Sequence, residues 1–337
     1  MKIVIDAFGG DYAPLEPIKG AVRAKNELGC DIALSGTEQI IRKTAADNGI
    51  DISGIEILDA QSVMTYDDEP KAVLKKKNDS SMAVGLKAVA AGEADVFISA
   101  GSTAALLMGS TFIVKRIKGV SRPALGAVLP GLNGHVLLMD CGANAECRPE
   151  MLKQFAYMGS LYMEKVLGVK APRVGLLNNG TEDSKGLDLQ KDTNALLKEE
   201  KEINYVGNVE GRALGLSECD VVITDGFTGN IALKSIEGIG SAVGKKLKGA
   251  IKSSFTAKLG ALLMKKQLKD FAKSLDYSEV GGAPFIGLKA PVIKAHGNST
   301  EKMFFSASKQ AVQWAGSGMI EALEEKFSGS DDKEEKE

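Results

Sequence analysis

The sequence has little of what metal sites, redox centres and membrane spans require. Its 337 residues include two histidines, one tryptophan and four cysteines, and the cysteines show no CxxC spacing. We therefore expect a reduced, cytoplasmic protein without a metal site. No apolar run has the length of a transmembrane helix, and Met1–Asp6 is predicted to be a strand rather than a signal peptide. The net charge of −2 gives no general attraction to nucleic acid.

The composition favours a protein of mixed helices and strands. Apolar residues make up 44% of the chain, aromatic residues only 5%, and there are 38 glycines. Short β-branched runs alternate with longer amphipathic stretches, which is typical of repeated βαβ units and a parallel sheet. The predicted strands lie near residues 2–6, 31–35, 54–58, 95–99, 124–128, 135–139, 172–177, 203–206, 220–224 and 291–295. The predicted helices lie near residues 15–28, 37–48, 80–91, 103–117, 149–167, 186–199, 228–251, 254–273 and 300–326.

Glycines and small polar residues follow several of these predicted strands, and the turn Asp225–Asn230 is the clearest case. Carboxyl ends of parallel strands share one edge of a sheet, so we expect a ligand crevice there, with backbone N–H groups suited to an anion. Aspartates after strands can equally well cap the next helix or close a turn. The candidates for binding substrate or phosphate are Asp6, Gly9, Gly10, Asp11, Ser99, Gly101, Ser102, Thr103, Asp140, Asn144, Gly226, Thr228 and Gly229.

Neutral amides and one histidine form the next set of candidates. Asn144, Asn178 and Asn230 could donate to a developing oxyanion without repelling a phosphate. His296 is followed by Gly297, Asn298 and Ser299, directly before the last long predicted helix. The first turn of that helix is a potential phosphate site, and the imidazole could bind a phosphoryl oxygen or protonate a leaving thiolate. A histidine that only packs at a strand end is the alternative.

A basic, amphipathic segment covers residues 245–273, with nine lysines against the single acid Asp270. Such a segment could lie on an anionic bilayer, or it could be a core or dimer-interface helix with solvated lysines. A second basic cluster could receive an acidic partner or a substrate phosphate. The contact candidates are Phe255, Leu259, Leu262, Leu263, Lys265 and Lys266 in the segment, and Lys75, Lys76 and Lys77 in the cluster.

The motifs, taken in order, resemble those of the bacterial phosphate acyltransferases, which convert acyl-[acyl carrier protein] and phosphate to acyl phosphate in phospholipid synthesis. The resemblance covers residues 1 to about 326. Phe8 stands where methionine is usual, and Ser102 and Ala104 replace a common asparagine and glycine. The motifs are DAFGGD at 6–11, SAGST at 99–103, DCGAN at 140–144, GLLNNGTE at 175–182, GNVEGR at 207–212, DGFTGN at 225–230, GGAPFIG at 281–287 and HGNS at 296–299.

This resemblance implies an α/β/α sandwich with a mostly parallel sheet, like that of phosphotransacetylases and isocitrate dehydrogenases, with the active site in a cleft. It also implies a homodimer associated peripherally with the inner face of the plasma membrane. The expected partners are acyl carrier protein, inorganic phosphate and a membrane surface or membrane-bound glycerol-3-phosphate acyltransferase. No cofactor is expected beyond the phosphopantetheine of the acyl donor. We expect residues 1–327 to form one catalytic unit, as a single body or two lobes, and residues 328–337 to be a disordered charged tail.

We expect a phosphate oxygen to attack the acyl thioester directly, because no residue lies in a nucleophile-plus-base signature. His296, Asn178, Asn230 and Asp225 are the expected catalytic residues. The His296–Ser299 and Asp225–Asn230 turns would hold phosphate, and Asn178 or Asn230 would stabilise the oxyanion.

Three other functions fit parts of the sequence. A phosphotransacetylase would use coenzyme A instead of the carrier protein, which is acidic and needs a basic docking face such as Lys75–Lys77 with Arg116 and Lys118. A dinucleotide oxidoreductase is disfavoured, because no GxGxxG follows the first strand. A non-catalytic scaffold at the membrane surface would bind liposomes without consuming thioester.

Overall fold

The computed structural model describes residues 1–274 and 281–328. The predicted disordered tail lies outside the described residues, except for Ser328, which ends the last helix. The strands are β1 (Lys2–Asp6), β2 (Asp31–Gly36), β3 (Glu56–Asp59), β4 (Val96–Ser99), β5 (Ala124–Gly131), β6 (Gly134–Met139), β7 (Arg173–Leu177), β8 (Asn204–Val209), β9 (Val221–Ile223), β10 (Ala283–Ile286) and β11 (Val292–Lys294).

The helices on one side of the sheet come from both ends of the chain and from its middle. They are α1 (Leu15–Leu28), α2 (Glu38–Asp47), α5 (Pro149–Lys165), α6 (Asp188–Lys198), α11 (Glu301–Ala315) and α12 (Met319–Ser328). On the other side are α3 (Ser81–Ala90), α4 (Thr103–Gly109), α7 (Arg212–Leu216) and the start of α8 (Gly226–Lys252). Helices α9 (Phe255–Leu263) and α10 (Lys265–Ser274) follow α8, a 3₁₀ helix spans Pro70–Leu74, and a π-helix spans Ser110–Val114.

All of these strands form one continuous sheet, in the order β3-β2-β1-β4-β11-β10-β5-β6-β9-β7-β8. Side chains alternate between its faces, so that Ile3 and Ile5 of β1 face one hydrophobic core and Val4 faces the other. The result is three layers, helices on both sides of a mostly parallel sheet. This confirms the α/β/α class predicted from the sequence.

The sheet reverses direction at its centre. β10 pairs antiparallel with both β11 and β5, and β5 pairs antiparallel with β6. β6, β9, β7 and β8 therefore run opposite to β1, β2, β3, β4 and β11. We expected all the candidate turns to lie together at the carboxyl ends of parallel strands. That expectation is wrong, because the two parallel blocks run in opposite directions and their carboxyl ends lie at opposite ends of the strands.

The other differences from the predicted elements have local causes. β10 contains Pro284, which cannot donate to a ladder, so its sequence gives a poor strand signal. The helix predicted at 300–326 is broken after Ala315, and Gly318 adopts a left-handed φ of 68°. The helix predicted at 254–273 is two helices, because α9 ends at Leu263. The helix predicted at 103–117 ends as the π-helix, after which Lys115 has a φ of 72°.

Helix α8 begins at the carboxyl end of β9 and then leaves the body of the protein. Ala232, Leu233 and Ile236 still pack against the core. Beyond them, all residues from Gly238 to Ala250 are exposed, and α9 has no buried residue. We refer to residues 238–274 as the projecting segment.

The close contact of α8 with the β6 turn gives a test of the fold. A Cβ atom at Gly229 would overlap the carbonyl oxygen of Asp140, and a backbone atom cannot move aside like a flexible side chain. Gly229→Ala should lower the free energy of unfolding by about 1–3 kcal/mol. The matched control is Gly238→Ala on the same helix, where nothing lies within 4 Å of the added atom. It should be neutral or stabilising by up to about 1 kcal/mol. Equal thermal stability of the two variants would contradict this packing.

Candidate active site

The carboxyl ends of β1, β4 and β11 hold a row of three polar side chains in adjacent strands. Ser99 Oγ donates to Asp6 Oδ2 at 2.7 Å, and Ser99 is in register with Lys294. Strand alternation puts all three on the face covered by α3, α4 and α8, because Val4, Phe97 and Val292 lie in that core two residues earlier. A buried carboxylate and an ammonium group thus lie together at one edge of the sheet.

Asp6 is 2% exposed and is held by its neighbours. Burial raises the pKa of Asp6, although hydrogen bonds from Ser81, Ser99 and the backbone of Phe8 act in the opposite direction. Lys294 Nζ donates to the carbonyl oxygens of Ala100 at 2.9 Å and Gly101 at 2.6 Å. Burial lowers the pKa of Lys294 to about 8, although Asp6 and Asp11 favour its charged form.

The predicted glycine turns pack around this row. A Cβ atom at Gly9 would lie 2.8 Å from the nitrogen of Gly101, so the turns after β1 and β4 approach backbone to backbone. Gly10 has a φ of 98°, and a Cβ atom there would lie 2.8 Å from the carbonyl oxygen of Gly297. That same oxygen accepts from the backbone N–H of Asp11 at 2.7 Å. Ser102 caps α4 by accepting from Ala105 N at 3.5 Å, and Thr103 is the first residue of that helix.

The turn after β11 places His296 at the surface, with Nδ1 2.7 Å from Asn298 Oδ1. Ser299 is 2% exposed and its Oγ has no hydrogen-bond partner in the structure. At the start of α11, where a phosphate site was expected, one backbone donor is already in use, because Glu16 Oε2 accepts from the backbone N–H of Glu301 at 2.7 Å. Burial favours a higher pKa for Glu16, but this hydrogen bond and the charge of Lys19 outweigh it and hold the pKa of Glu16 below its ordinary value. A carboxylate at this position opposes a second anion.

The turns after β6 and β9 form a separate group at the opposite edge. Asp140 accepts from the backbone N–H groups of Leu125, Gly142, Ala143 and Asn144 and from the Asn144 amide. The Asn144 amide also donates to Pro123 O. Burial raises the pKa of Asp140, and these bonds act against that rise. Asp140 and Asn144 therefore hold this loop in place. Because they also bond to each other, fewer of their hydrogen-bond donors and acceptors remain free for a substrate.

Asp225 is 8% exposed and is the N-cap of α8, where Oδ1 accepts from Thr228 N at 2.8 Å. Gly226 N donates to Asn144 O at 2.7 Å, so the first turn of α8 is largely satisfied from within the protein. A carboxylate cap also repels an anion, which argues against phosphate at this turn. Asn230 lies exposed beside Gly142, and its amide has no hydrogen bond in the structure.

Asn178 is at the end of β7. Its Nδ2 donates to Lys185 O at 3.2 Å, and its Oδ1 accepts from Asn179 N at 2.8 Å. The structure therefore does not bring Asn178 to the β1, β4 and β11 edge, and its amide is engaged in its own loop.

Lys234 of α8 connects the two groups electrostatically. Its positive charge contributes to the lowered pKa of Lys294. Burial and the charge of Asp140 raise the pKa of the Cys141 thiol, and the charge of Lys234 partly offsets that rise. Lys234 pairs with Glu237 at 2.7 Å. One turn of α8 thus faces both the Lys294 row and the Asp140 loop.

The sequence patterns did not single out Lys294, Lys234 or Tyr66. A Cβ atom at Gly297 would lie 2.9 Å from the Tyr66 hydroxyl, so this tyrosine covers the turn after β11. Lys294 could have been found from strand alternation, because a lysine two residues after Val292 points to a buried face. Lys234 and Tyr66 have no comparable signal, since their positions depend on tertiary packing.

The predicted contact residues lie on different surfaces. Lys75 and Lys76 are exposed, whereas Lys77 donates to Val63 O and pairs with Asp68, so it is not available to a partner. Lys265 and Lys266 are exposed at the start of α10. The exposed fractions of Phe255, Leu259, Leu262 and Leu263 are 79%, 49%, 66% and 79%.

The described residues hold neither a metal-binding cluster nor a membrane-spanning helix. In residues 1–274 and 281–328, no group of three or more His, Cys, Asp or Glu side chains is placed to hold a metal ion. No helix within these same ranges is long and apolar enough to cross a membrane.

Comparison with known proteins decides the family. A family profile described as "Fatty acid synthesis protein" matches residues 1–322. The phosphate acyltransferase of Clostridium novyi is 45% identical over 324 residues, which cover 96% of this chain and 97% of the relative. That of Caldicellulosiruptor saccharolyticus is 45% identical over 328 residues, covering 97% and 98%. The chain belongs to the phosphate acyltransferase family. As such, it is an acyltransferase of fatty acid and phospholipid synthesis, which confirms the enzyme class inferred from the motifs.

Solved structures show that this phosphate acyltransferase shares its fold with phosphotransacetylases. The enzyme from Streptococcus pyogenes matches with a TM-score of 0.62 at 16% identity, covering 94% of each chain. A phosphotransacetylase from Staphylococcus aureus matches with a TM-score of 0.60 at 19% identity, again over 94% of each chain. At such identities the likeness concerns the fold alone.

The N-cap geometry predicts how Asp225 contributes. Asp225→Ala should lower the free energy of unfolding by about 1 kcal/mol, the usual cost of a lost cap, whereas Asp225→Asn should retain the cap. If the carboxylate has no chemical role, Asp225→Asn also keeps its acyl-transfer rate. Thermal melts and steady-state rates of both variants check this. A stable but inactive Asp225→Asn would show that the charge takes part in the reaction.

Proposed function

We propose that this acyltransferase moves a fatty acyl group from acyl carrier protein to inorganic phosphate and releases acyl phosphate for glycerol-3-phosphate acylation. The 45% identity to proteins named phosphate acyltransferase supports phosphate as the acceptor. The acyl donor is proposed from the motif resemblance. No cofactor takes part in this proposal beyond the phosphopantetheine that carries the acyl group.

One observation favours direct attack over an acyl-enzyme: among the described residues, no serine, threonine or cysteine side chain is paired with a histidine, and the Ser99 hydroxyl is buried against Asp6. No histidine there hydrogen-bonds a serine, threonine or cysteine side chain, and His296 contacts Asn298 instead. Cys141 and Cys219 are buried, and burial raises the pKa of both thiols, that of Cys219 to about 12. The thiolate form, which is the nucleophile that an acyl-enzyme would require, is therefore disfavoured at both cysteines.

In the proposed reaction, an oxygen of hydrogen phosphate attacks the thioester carbonyl carbon and forms a tetrahedral oxyanion. The carbon–sulfur bond then breaks, and the proton of the hydrogen phosphate ends on the sulfur of the free pantetheine thiol. We propose that His296, whose side chain is exposed, relays that proton and that the Asn230 amide, which has no hydrogen bond among the described residues, donates to the oxyanion. The protein's main contribution is to position the phosphate and the thioester.

We propose that the carrier protein docks on exposed basic residues near α4. Lys75 and Lys76 follow the 3₁₀ helix that packs on α4, and Arg116 follows the π-helix that continues α4. Lys118 lies close by in the sequence. Positive charge at this surface is complementary to an acidic carrier protein and would speed the encounter. Coenzyme A, the alternative thiol, needs no such surface.

The projecting segment supports two further proposals, a homodimer and a membrane contact. Ile236, Ile239, Val243 and Leu247 recur at helical spacing on α8, and the last three are exposed. An uncovered apolar stripe of this kind suits a second copy of the same helix. Farther along, Phe255, Leu262 and Leu263 are exposed beside lysines, which suits an anionic lipid surface.

The acyl-transfer proposal is tested by thiol release from palmitoyl-acyl carrier protein, with palmitoyl-coenzyme A in parallel. We expect phosphate-dependent release from the carrier protein and weak release from coenzyme A. Without phosphate there should be no burst of thiol, because no acyl-enzyme forms. Equal rates with both thiols would favour a phosphotransacetylase, and no release from either would favour the scaffold.

The membrane proposal is tested by flotation with vesicles of anionic phospholipid. The triple variant Phe255→Ser, Leu262→Ser and Leu263→Ser should lose about tenfold or more in binding, because large apolar side chains no longer enter the lipid. Leu132→Ser is the control, since this leucine is 75% exposed in the β5–β6 turn. The homodimer proposal is tested separately by light scattering of the protein without vesicles, which should give twice the chain mass. Wild-type flotation of the triple variant would refute the lipid contact.

A further inference from the structure

A buried lysine at the carboxyl edge of β11 has no role in the mechanism above. Lys294 is held by two backbone carbonyl oxygens, those of Ala100 and Gly101, both in the turn after β4. An ammonium group has three N–H donors, and these two bonds use two of them. The third N–H of the Lys294 ammonium group remains free to donate to a hydrogen-bond acceptor at the carboxyl ends of these strands.

The surroundings of Lys294 are arranged for an anion that is not part of the protein. Asp6 and Asp11 act on Lys294 through their charges, but among the described residues neither forms an ion pair with it. Asp6 is instead satisfied by Ser99 and by the backbone of Phe8. Lys234, which pairs with Glu237, brings a second positive charge toward Lys294 from α8, and this charge disfavours the charged form of Lys294.

At the other places suggested for phosphate a carboxylate takes the backbone N–H groups, whereas at the ends of β1, β4 and β11 the carboxylates of Asp6 and Asp11 lie near the buried cation Lys294. Glu16 accepts from the first turn of α11, and Asp225 caps α8. Asp140 takes the backbone N–H groups of the loop after β6. Among the predicted turns, those after β1, β4 and β11 are the ones that converge on a cation.

The glycines of these turns bring the three strand ends together around Lys294. A Cβ atom at Gly9 would meet the backbone of Gly101, and one at Gly10 would meet the carbonyl oxygen of Gly297. The Tyr66 hydroxyl lies against Gly297. The turns after β1, β4 and β11 thus converge on the lysine, and this is where we place a small tetrahedral anion.

We propose that the ammonium group of Lys294 binds the phosphate substrate and holds it for attack on the thioester. The inference rests on the acyl-transfer reaction proposed above. A compact ammonium held by carbonyl oxygens supplies a fixed point charge, and charge-assisted hydrogen bonds to phosphate are among the stronger ones in proteins. The alternative is a purely structural lysine that ties the β4 turn to β11.

Steady-state kinetics of Lys294→Met and Lys294→Arg separate the two roles. Lys294→Met should raise the Michaelis constant for phosphate by about tenfold or more, because the charged hydrogen bond is lost. Its Michaelis constant for acyl-acyl carrier protein should stay within about twofold, since the donor is held elsewhere. Lys309→Met, an exposed lysine on α11, is the control and should match the wild type.

The pH profile gives a readout that a structural role would not move. Lys294 is charged below a pKa of about 8 and neutral above it, so wild-type kcat/KM for phosphate should fall above about pH 8. In Lys294→Arg the group stays charged, so this alkaline fall should disappear. The charged groups that act on Lys294 are Asp6 and Asp11 from the β1 end and Lys234 from α8. His296 and Tyr66 are the titratable groups at the neighbouring turn around Gly297. They are unchanged in the variant and serve as an internal reference.

The outcomes distinguish this inference from the function on which it depends. If the wild type releases no thiol with phosphate, the acyl-transfer proposal fails. If the wild type is active and Lys294→Met keeps its phosphate constant, or loses only thermal stability, Lys294 is structural and the inference fails. Should Lys294→Met not fold, the alkaline limb of Lys294→Arg decides: its disappearance supports phosphate binding, and its persistence refutes it.

Discussion

The antiparallel pairing of β10 with β11 and β5 reverses the sheet at its centre, and the organisation of the site follows from that reversal. In a fully parallel sheet, every strand would end at one edge and a single crevice could collect all the turns. Here the two blocks end at opposite edges. A site that uses both needs an element that crosses the face between them, and α8 is that element. Lys234 lies on its third turn, and its charge acts on both Lys294 and Cys141.

The second constraint is the desolvation of charge at the strand ends. Carboxylates in this molecule are mostly satisfied by backbone N–H groups and hydroxyls, as with Asp140 in its own loop and Asp6 beside Ser99. Such groups are used to hold turns and helix ends in place. Lys294 differs, because carbonyl oxygens hold it while its charge is left without a partner in an ion pair among the described residues. A buried cation that forms no ion pair among the described residues, rather than the number of polar residues, is what marks a place for an anion.

The sequence was sufficient for the layers of the fold, because alternating apolar residues and amphipathic helices leave few other arrangements. It was insufficient for the sheet direction, which depends on β10, a strand with a proline and a weak pattern. At the site, the turns after β1 and β4 lie together because β4 pairs parallel with β1, although β2 and β3 come between them in the chain. The sequence indicated that both turns follow parallel strands, but it did not show that these two strands are neighbours. The phosphate roles of Asp225 and of the α11 start were expected from helix N-termini, but caps from Asp225 itself and from Glu16 use those positions. Capping partners distant in sequence cannot be read from a local motif.

The projecting segment shows a different limit of sequence reasoning. Its lysines and apolar residues were evident from composition, and the structure leaves them exposed on helices that contact little of the body. Exposure alone does not choose between lipid and a second subunit. The geometry assigns the α8 stripe and the residues from Phe255 onward to different stretches of the segment, so both proposals can hold at once.

The central claim is that the phosphate substrate binds at the carboxyl ends of β1, β4 and β11. A crystal structure of the enzyme with tungstate, a heavy tetrahedral analogue of phosphate, locates the anion by its anomalous scattering. The account predicts one ordered ion within hydrogen-bond distance of Lys294 Nζ, close to Gly10 and Gly297. An ion bound instead at the Asp225–Asn230 turn, with nothing beside Lys294, would contradict it.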